Sequence, residues 1–410
     1  MALISFLVSN SAWAVSFRYR DFRILWGATL MHSLAMGMEQ VAISWLVFEM
    51  TDSPLMVGVA AGARMAPFFF LGILSGAITD RVDRRIFLRL VTVGGSVIAF
   101  IMAAMLMAGI DNVWYVIALA AVTGCMWAFV MTIRHSYTFD IVGPENALNG
   151  LSMNAMGQRI GGVVGSLIAG LVIALTGVGE QYLVIGGINI VAVVFLLAAR
   201  DVGQAAPKER QSVIKNFLGY ARLLRENRIL MILMLLTGAT EIFGFTHQSV
   251  LVVFSRDILG VGALGFGFIT AIRQGGGALG LLVLAFMGGT KHKGRLMFIT
   301  AAGFGLGQMA FFWSTNLIAF MIVLAFINAC ASMVDTLYKT LMQLNVTNEQ
   351  RGRATGSWVL SIGVAPIGHL SVGAIAGSFG APMALLVNGS VLTAVSIMAA
   401  LGLPRMRRLE

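Results

Sequence analysis

The run ILWGATLMHSLAMGMEQVAISWLVF extends from Ile24 to Phe48, and Glu39 is its only charged residue. A helix of this length can cross the hydrocarbon core of a bilayer, which is about 30 Å thick. Comparable apolar runs recur throughout the 410 residues, of which 58% are hydrophobic and only 11% are charged. An ordinary soluble domain is about 25% charged. Because the runs do not alternate at a period of two, the sequence predicts an all-α membrane protein and not a β-barrel.

Twelve apolar runs are long enough to be transmembrane helices. We place them at 23–48, 55–79, 86–108, 113–133, 157–178, 182–199, 229–254, 262–288, 296–313, 317–338, 355–376 and 381–403. Glycine is abundant, with 48 residues, and stretches such as GGVVGSLIAG suit helices that pack closely in lipid. The two cysteines, Cys125 and Cys330, both lie in these runs, which argues against a disulfide scaffold and a zinc site.

The basic residues indicate the orientation of the chain. If the N-terminus lies in the cytoplasm, nearly all of the 28 lysines and arginines fall on the cytoplasmic side, where membrane proteins concentrate them. Only Arg256 falls on the opposite side, and Arg64, Arg159 and Arg273 lie within spans. The distribution predicts an even number of crossings, with both termini cytoplasmic. The segment 1–16 lacks a basic region before its short apolar core, so we do not expect a cleaved signal peptide.

The longest polar stretch divides the chain into two halves. We predict an N-terminal six-helix bundle over 1–199, a cytoplasmic linker over 200–228 and a C-terminal six-helix bundle over 229–410. Within the linker, 213–224 has apolar residues on one helical stripe, which predicts an amphipathic helix at the membrane surface.

The two halves resemble each other in the spacing of particular residues. Pairs of equal residues recur at nearly the same separation: Gly150 with Gly356, Gly157 with Gly363, Cys125 with Cys330, and, more loosely, Glu39 with Glu241 and Arg64 with Arg273. Such repeats predict two pseudo-symmetric bundles, an architecture in which transporters enclose a site near the middle of the membrane.

The loop after the second span reads GAITDRVDRR. It resembles the signature loop G-x-L-a-D-r-x-G-r-k/r of the major facilitator superfamily, matched by Gly76, Asp80, Arg81, Arg84 and Arg85. The second glycine of the family pattern is replaced by an aspartate. In this loop the glycine allows close helix packing, the first aspartate can cap or pair near a helix end, and the arginines can latch the two halves by charge-assisted hydrogen bonds.

A narrower resemblance covers most of the chain. The phrases RDFRILW, QVAISWLVFEMTDSPLMVG, ARMAPFFF and NEQRGRATGSW are similar to the enterobactin-exporter-like branch of bacterial efflux proteins. The resemblance implies proton-driven secretion of a siderophore, drug or other amphipathic small molecule by alternating access. The fifth span, GQRIGGVVGSLIAG, lacks the Gly-Pro motif of the superfamily's drug/proton antiporters, so antiport depends on the branch and not on that motif.

Four charges lie deep within spans, at Glu39, Arg64, Glu241 and Arg273. A charge at mid-bilayer costs about 2.5–3.5 kcal/mol on insertion scales, so we expect these side chains to face the protein interior and to form ion pairs. In one interpretation, Glu39 or Glu241 binds and releases a proton during transport. In the other, the pairs are static and fix the packing of the helices.

Further polar residues within spans complete the candidate sites. We assign Glu39, Glu241 and His247 as candidates for proton coupling, and Gln40, Arg64, Arg159, Arg273, Gln158, Gln248 and Asn328 as candidates to line a substrate cavity. His247 is chosen because Glu241 lies nearly two turns earlier on the same predicted helix. Asp140 and Asp335 lie near cytoplasmic helix ends, where solvation is one expectation and a gate with Arg81 or Arg353 the other.

Several classes of function do not fit the sequence. There is no G-x-x-x-x-G-K-[ST] loop for a nucleotide-driven pump, no metal-ligand spacing, and no Ser/His/Asp constellation, so we expect neither an enzyme nor a cofactor. The expected partners are a small-molecule substrate, protons and the lipid bilayer, with no nucleic acid, and the expected state is a monomer. The alternatives are an importer or a lipid transporter on the same fold and, more remotely, a non-transporting membrane receptor.

Overall fold

The computed structural model of the protein describes residues 12–79, 83–200, 224–287, 291–314, 316–346 and 358–409. For 12–14 and 72–79 only the backbone is described. Every regular element in these ranges is helical. Asp80 and Arg81 of the signature loop, Arg353 and the predicted amphipathic segment 213–223 lie outside the described residues.

Eleven helices longer than ten residues form the body of the described chain. They are α1 Arg20–Thr51, α2 Pro54–Thr79, α3 Arg84–Met107, α4 Val113–Leu175, α5 Val178–Leu197, α6 Arg228–Phe243, α7 Gly262–Phe286, α8 Lys293–Ala310, α9 Leu317–Leu344, α10 Ala365–Phe379 and α11 Ala381–Gly402. Short elements flank them: 3-10 helices at Ala12–Arg18, Phe245–Val250 and Phe311–Trp313, a helical turn at Leu251–Val253, a π-helical turn at Phe254–Ile258, and a final turn at Pro404–Arg407.

Ten segments of the described chain are long and apolar enough to cross a membrane. The longest, α4, covers 63 residues, but Gly143 interrupts the helix with φ 73° and ψ 169°. Pro144 follows, and proline at the first position of a helix costs no hydrogen bond. The helix thus divides into two segments, α4a (113–142) and α4b (144–175). Helix therefore extends beyond the predicted spans 113–133 and 157–178, up to Gly143 from one side and away from it on the other.

The chain forms two compact units, and each is described by itself. Unit 1 comprises 1–42, 74–112 and 125–210, and unit 2 comprises 43–73, 113–124 and 211–410. The core of unit 1 gathers Phe22, Leu25, Ile133 and Tyr137, all nearly inaccessible to solvent, from α1 and α4a. Beside it, α3 packs along α5.

Glycines bring α4b against α1 in unit 1. A Cβ built on Gly161 would lie 2.7 Å from the carbonyl oxygen of Leu30, and one on Gly37 would lie 2.6 Å from the carbonyl oxygen of Gly162. Only a residue without a side chain allows the two backbones to approach this closely. The glycine-rich fifth span therefore functions as a packing surface for α1, as its composition indicated.

In unit 2, glycines likewise allow close backbone contact at three helix interfaces. Helix α7 packs on α9 where Gly276 faces Ala325, and α8 packs on α11 where Gly305 faces Gly389. Helix α2 packs on α10, where Gly58 of α2 faces α10 and Gly373 of α10 faces α2. Backbone-to-backbone contact at these points sets the positions of the polar side chains that the same helices carry.

Candidate functional site

The span that contains Glu241 and His247 is broken in its middle. Helix α6 ends at Phe243, the chain continues as a 3-10 helix over Phe245–Val250, and it ends in the π-helical turn Phe254–Ile258. The whole segment Arg228–Ile258 has 31 residues and is apolar enough to span a bilayer. The prediction that Glu241 and His247 share one regular helix was therefore wrong, since the 3-10 helix turns His247 differently. Discontinuous transmembrane helices mark the binding sites of many transporters.

Polar side chains from neighbouring helices form hydrogen bonds with residues at the break. The Gln308 amide of α8 donates to the carbonyl oxygen of Phe243 at 3.2 Å, and the Asn388 amide of α11 donates to the Thr246 hydroxyl at 3.3 Å. Non-helical backbone at membrane depth is tolerated only where such groups, or water, replace the missing hydrogen bonds. Two neighbouring helices thus fix the break, Gln308 through a backbone carbonyl group and Asn388 through the side chain of Thr246.

A group of polar residues surrounds the break, and we call it the helix-break cluster: His247, Ser249, Arg273, Asn328 and His369. His247 Nδ1 lies 2.9 Å from the carbonyl oxygen of Gly244, and its Nε2 lies 3.5 Å from the Asn328 amide nitrogen. His369 Nδ1 lies 2.7 Å from the Ser249 hydroxyl. Arg273 and His369 both interact electrostatically with His247.

The helix-break cluster collects side chains from four separate spans. Both histidines are 1% exposed and Asn328 is 6% exposed, while Arg273 is half-buried. Gln248 of the 3-10 helix is also half-buried. A guanidinium group with amide and imidazole neighbours in an apolar surrounding is suited to bind a group with anionic oxygens.

A second group, the carboxylate cluster, lies on the same span and its neighbours: Glu241, Asp335, Lys339 and Trp358. Lys339 Nζ lies 2.9 Å from Asp335 Oδ2 and 3.7 Å from the centre of the Trp358 ring. The Trp358 indole N–H donates to Asp335 Oδ1 at 2.7 Å. Asp335 is therefore held by two partners, so the expectation of simple solvation was wrong.

Glu241 is the least satisfied member of the carboxylate cluster. It is 8% exposed, and its charged neighbours are Asp335 and Lys339. Within the described ranges, no side chain or backbone group forms a hydrogen bond or an ion pair with its carboxylate. The expected ion pair with an intramembrane arginine is not formed, because α6 directs this carboxylate toward α9.

The remaining candidates lie on α1, α2 and α4b. Glu39 and Gln40 are half-buried on α1, and Gln158 and Arg159 are half-buried on α4b, which packs against α1 in unit 1. Arg64 is 8% exposed on α2, in unit 2. Its backbone contacts Gly124 of α4a, so α2 and α4a approach closely at this arginine.

The signature loop forms bonds within unit 1. Asp83 is the N-cap of α3 and accepts from the backbone N–H groups of Arg85 at 2.8 Å and Ile86 at 3.2 Å. This explains the departure from the glycine of the family pattern, since aspartate is a preferred N-cap residue. Arg84 donates to both oxygens of Asp140 at 2.7 and 2.8 Å, and Arg85 donates to the carbonyl oxygen of Arg200 at 2.9 Å. Asp140 thus pairs with Arg84, a partner that the sequence analysis did not name.

An ion pair joins the first interhelical connection to the end of the broken span. Arg256 Nη2 lies 2.6 Å from Asp52 Oδ1, and its guanidinium carbon lies 5.0 Å from the centre of the Phe48 ring. Asp52 has φ 48°, an uncommon conformation for a residue other than glycine. Arg256 is thus the cation that anchors the α1–α2 connection within unit 2.

Sequence reasoning missed Lys339, Trp358 and Ser249 as members of these clusters. Lys339 and Trp358 flank predicted span ends, and serine is common in apolar helices, so no local pattern marked them. The spacing of Asp335 and Lys339, four residues apart on a predicted helix, was the available signal, because such residues lie on the same helical face.

Comparisons with known proteins agree with this architecture. The family model described as transmembrane secretion effector, of the major facilitator superfamily, matches residues 10–410. The chain is 22% identical to the staphyloferrin A transporter of Staphylococcus aureus over 83% of its length and 86% of the relative. It is 23% identical to the enterobactin exporter EntS of Shigella boydii and of Escherichia coli, over 92% of both chains.

Solved structures show the same fold at low sequence identity. A POT family transporter in complex with 5-aminolevulinic acid superposes with a TM-score of 0.79 at 10% identity, covering 95% of this chain and 97% of that one. The nucleoside transporter NupG superposes with a TM-score of 0.73 at 14% identity, covering 95% of this chain and 100% of that one. The chain therefore belongs to the transmembrane secretion effector family, and is a multi-pass transporter of the major facilitator superfamily in the branch that contains siderophore transporters.

Proposed function

We propose that this protein exports a siderophore or a similar amphipathic small molecule across a bacterial inner membrane, driven by protons, through alternating access. The observation that carries the proposal is the broken span Arg228–Ile258, with one polar cluster at its break and an unpaired carboxylate beside it among the described residues. The names of the relatives support the substrate class, since two of them are a siderophore transporter and a siderophore exporter.

The proposed architecture is twelve crossings in two six-helix bundles. Helix α1 has 32 residues and α4 divides at Gly143, so counting α1 and both segments of α4 with the other spans yields twelve. The proposed bundles are 1–199 and 229–410, joined by the linker 200–228, with both termini cytoplasmic. We propose that the protein acts as a monomer, because each substrate path in this fold runs between its two bundles.

The helix-break cluster is the proposed substrate site in the C-terminal bundle. Arg273 supplies a positive charge, Gln248 supplies an amide next to the non-helical backbone, and Asn328, whose amide nitrogen contacts Leu324 and His247, orients the imidazole. These groups match a substrate with anionic oxygens better than a cationic one. Gln40, Gln158 and Arg159 in unit 1 and Arg64 in unit 2 are the further residues proposed to contact the substrate.

Glu241 is the proposed proton carrier. An ionised carboxylate without a hydrogen bond is costly away from water, so this group is stabilised by a proton when it is enclosed. Glu39 is half-buried with other interactions, and His247 is held by Gly244 and Asn328, so each is a weaker candidate.

Alternating access requires contacts that form in one state and break in the other. The Asp52–Arg256 pair and the Gly58 contact between α2 and α10 are proposed to close the outer side. Arg84 and Arg85 are proposed to act on the inner side by exchanging their present partners, Asp140 and the Arg200 carbonyl group, for others during the cycle.

The test is transport by the purified protein in proteoliposomes. Enterobactin, staphyloferrin A or a cationic dye is enclosed in the vesicles, and its release is followed with and without an imposed pH gradient. The proposal predicts release of an anionic siderophore that accelerates with the gradient. Transport that ignores the gradient contradicts proton coupling, and accumulation in the opposite direction identifies an importer.

Two other functions are distinguished in the same assay. Movement of labelled lipid between leaflets without siderophore release identifies a lipid transporter on this fold. Saturable siderophore binding to the purified protein without any flux identifies a receptor. Either result contradicts the proposed export.

A further inference from the structure

We propose that Glu241, Asp335 and Lys339 form one charge-balanced unit that binds a single proton, with Lys339 as the counter-ion that the two carboxylates share. The proposal rests on the proposed function, in which Glu241 carries the proton. It adds the groups that set how many protons are bound and where the proton is released.

The first step of the argument is the geometry around Lys339. Its ammonium group lies 2.9 Å from Asp335 and 3.7 Å from the centre of the Trp358 ring, and Trp358 also donates to Asp335. The indole therefore fixes both members of the pair, one through its ring face and one through its N–H. Lys339 is held by Asp335, and helix packing brings it near Glu241, since the Tyr338 hydroxyl, on the residue before Lys339, lies 3.1 Å from the hydroxyl of Thr240, the residue before Glu241.

The second step is charge balance. Two carboxylates and one ammonium carry a net charge of −1 when both acids are ionised. A buried site disfavours net charge, and Asp335 already has two partners whereas the Glu241 carboxylate has no hydrogen bond within the described ranges. A single proton on Glu241 makes the site neutral. A second proton would leave Lys339 without an anion.

The third step is the gradient of exposure along the cluster. Glu241 is 8% exposed, while the side chains of Asp335 and Lys339 are 23% and 39% exposed. Lys339 lies toward the end of α9 that the proposed orientation places in the cytoplasm. The two groups thus connect the buried acid with the aqueous side on which an exporter would release its proton.

No other charged group competes for this role in the described elements that pack against α6. Helix α9 contributes Asp335, Lys339 and Tyr338, whose hydroxyl lies 3.1 Å from that of Thr240. Helix α10 contributes His369, which bonds Ser249 in the helix-break cluster, and α11 has no titratable residue. His247 on the 3-10 helix is held by Gly244.

Infrared difference spectroscopy on the purified protein tests the proposal without a substrate. At pH 7 the wild type is expected to show the carbonyl band of one protonated carboxyl group, lost in Glu241→Gln. In Asp335→Asn the neutral state is reached without a proton, since Glu241 then pairs with Lys339, so the band is also expected to be lost. Glu49→Gln, at an exposed position on α1, is the matched control and keeps the band.

Lys339→Met is an independent test, in which the carbonyl band is expected to increase and not to disappear. Removal of the cation leaves two carboxylates, and neutrality then needs two protons, so the band area is expected to increase about twofold. Size exclusion and thermal unfolding establish that each variant is folded. A band that persists in Asp335→Asn, or that does not increase in Lys339→Met, overturns the shared counter-ion.

A transport measurement separates this inference from the proposed function. If the wild type shows no gradient-driven release, the proposed function fails whatever the spectra show. If the wild type is gradient-driven and Asp335→Asn releases substrate with the same dependence on the gradient, only the shared counter-ion fails.

Discussion

Replacement of Gly161 by alanine is expected to separate α4b from α1 and destabilise unit 1. A Cβ at this position would lie 2.7 Å from the Leu30 carbonyl oxygen, 2.9 Å from Ser33 Cβ and 3.0 Å from the Leu34 amide nitrogen. Ordinary contact begins at 3.4 Å, so the helices must separate by about 0.7 Å at the carbonyl. Two of the three contacts are to backbone atoms, which cannot turn aside as a side chain can.

The loss of stability in Gly161→Ala is measured relative to Gly187→Ala on α5. A Cβ at Gly187 has no atom within 4 Å, and both changes replace a glycine inside a helix, so the gain in backbone entropy cancels between them. The remaining difference in the free energy of unfolding between the two variants is the cost of overpacking at Gly161, about 1–3 kcal/mol. For a unit of this size, 1 kcal/mol corresponds to about 2–4 °C, so the unfolding midpoints should differ by about 2–12 °C.

The assay is thermal unfolding of both variants in detergent, followed by intrinsic fluorescence under identical conditions. Gly161→Ala is expected to have the lower midpoint, and Gly187→Ala is expected to match the wild type or exceed it. Equal midpoints for the two variants would refute the close approach of the α1 and α4b backbones.

Three further perturbations test other contacts. Asp83→Ala removes the N-cap of α3 and should cost about 1 kcal/mol in thermal unfolding, while Asp83→Asn retains most of it; equal losses would contradict the capping role. Arg84→Gln and Asp140→Asn should show a coupling free energy of about 0.5–3 kcal/mol in a double-mutant cycle, since Arg84 Nη1 contacts both oxygens of Asp140 and the side chains are only 12% and 23% exposed. Additive effects would show that the pair is not formed. Gly58→Ala should weaken the α2–α10 contact and increase hydrogen exchange in 54–71, whereas Gly377→Ala on the same α10, which has open space at its Cβ, should not; equal exchange in both would contradict the contact.

The sequence predicted the helical fold well because the bilayer imposes a strong condition. A span must be long, apolar and hydrogen-bonded within itself, so composition and length identify it. The loop after α2 placed the chain in its superfamily, and the family model confirmed that assignment over 10–410. The glycine-rich fifth span was predicted to be a packing surface, and Gly161 and Gly165 do face α1.

The break after Phe243 could not be predicted from the local sequence. The stretch 244–250, GFTHQSV, has one glycine, four polar residues and no proline, a composition that fits an α-helix as well as a 3-10 helix. The break is held by Gln308 and Asn388, which lie far along the chain. The charged neighbours of Glu241 were missed for the same reason. The sequence showed two acids and two arginines at similar depths, but only the packing of α6 on α9 shows which groups meet.

The most direct test of the account is enterobactin release by Glu241→Gln in proteoliposomes, with Glu39→Gln as the comparison. If Glu241 carries the proton, its variant should lose the acceleration by a pH gradient, while it still exchanges labelled for unlabelled enterobactin at equilibrium. Glu39→Gln should keep both activities. Full gradient dependence in Glu241→Gln would contradict the account, and its loss in Glu39→Gln alone would place the proton on α1.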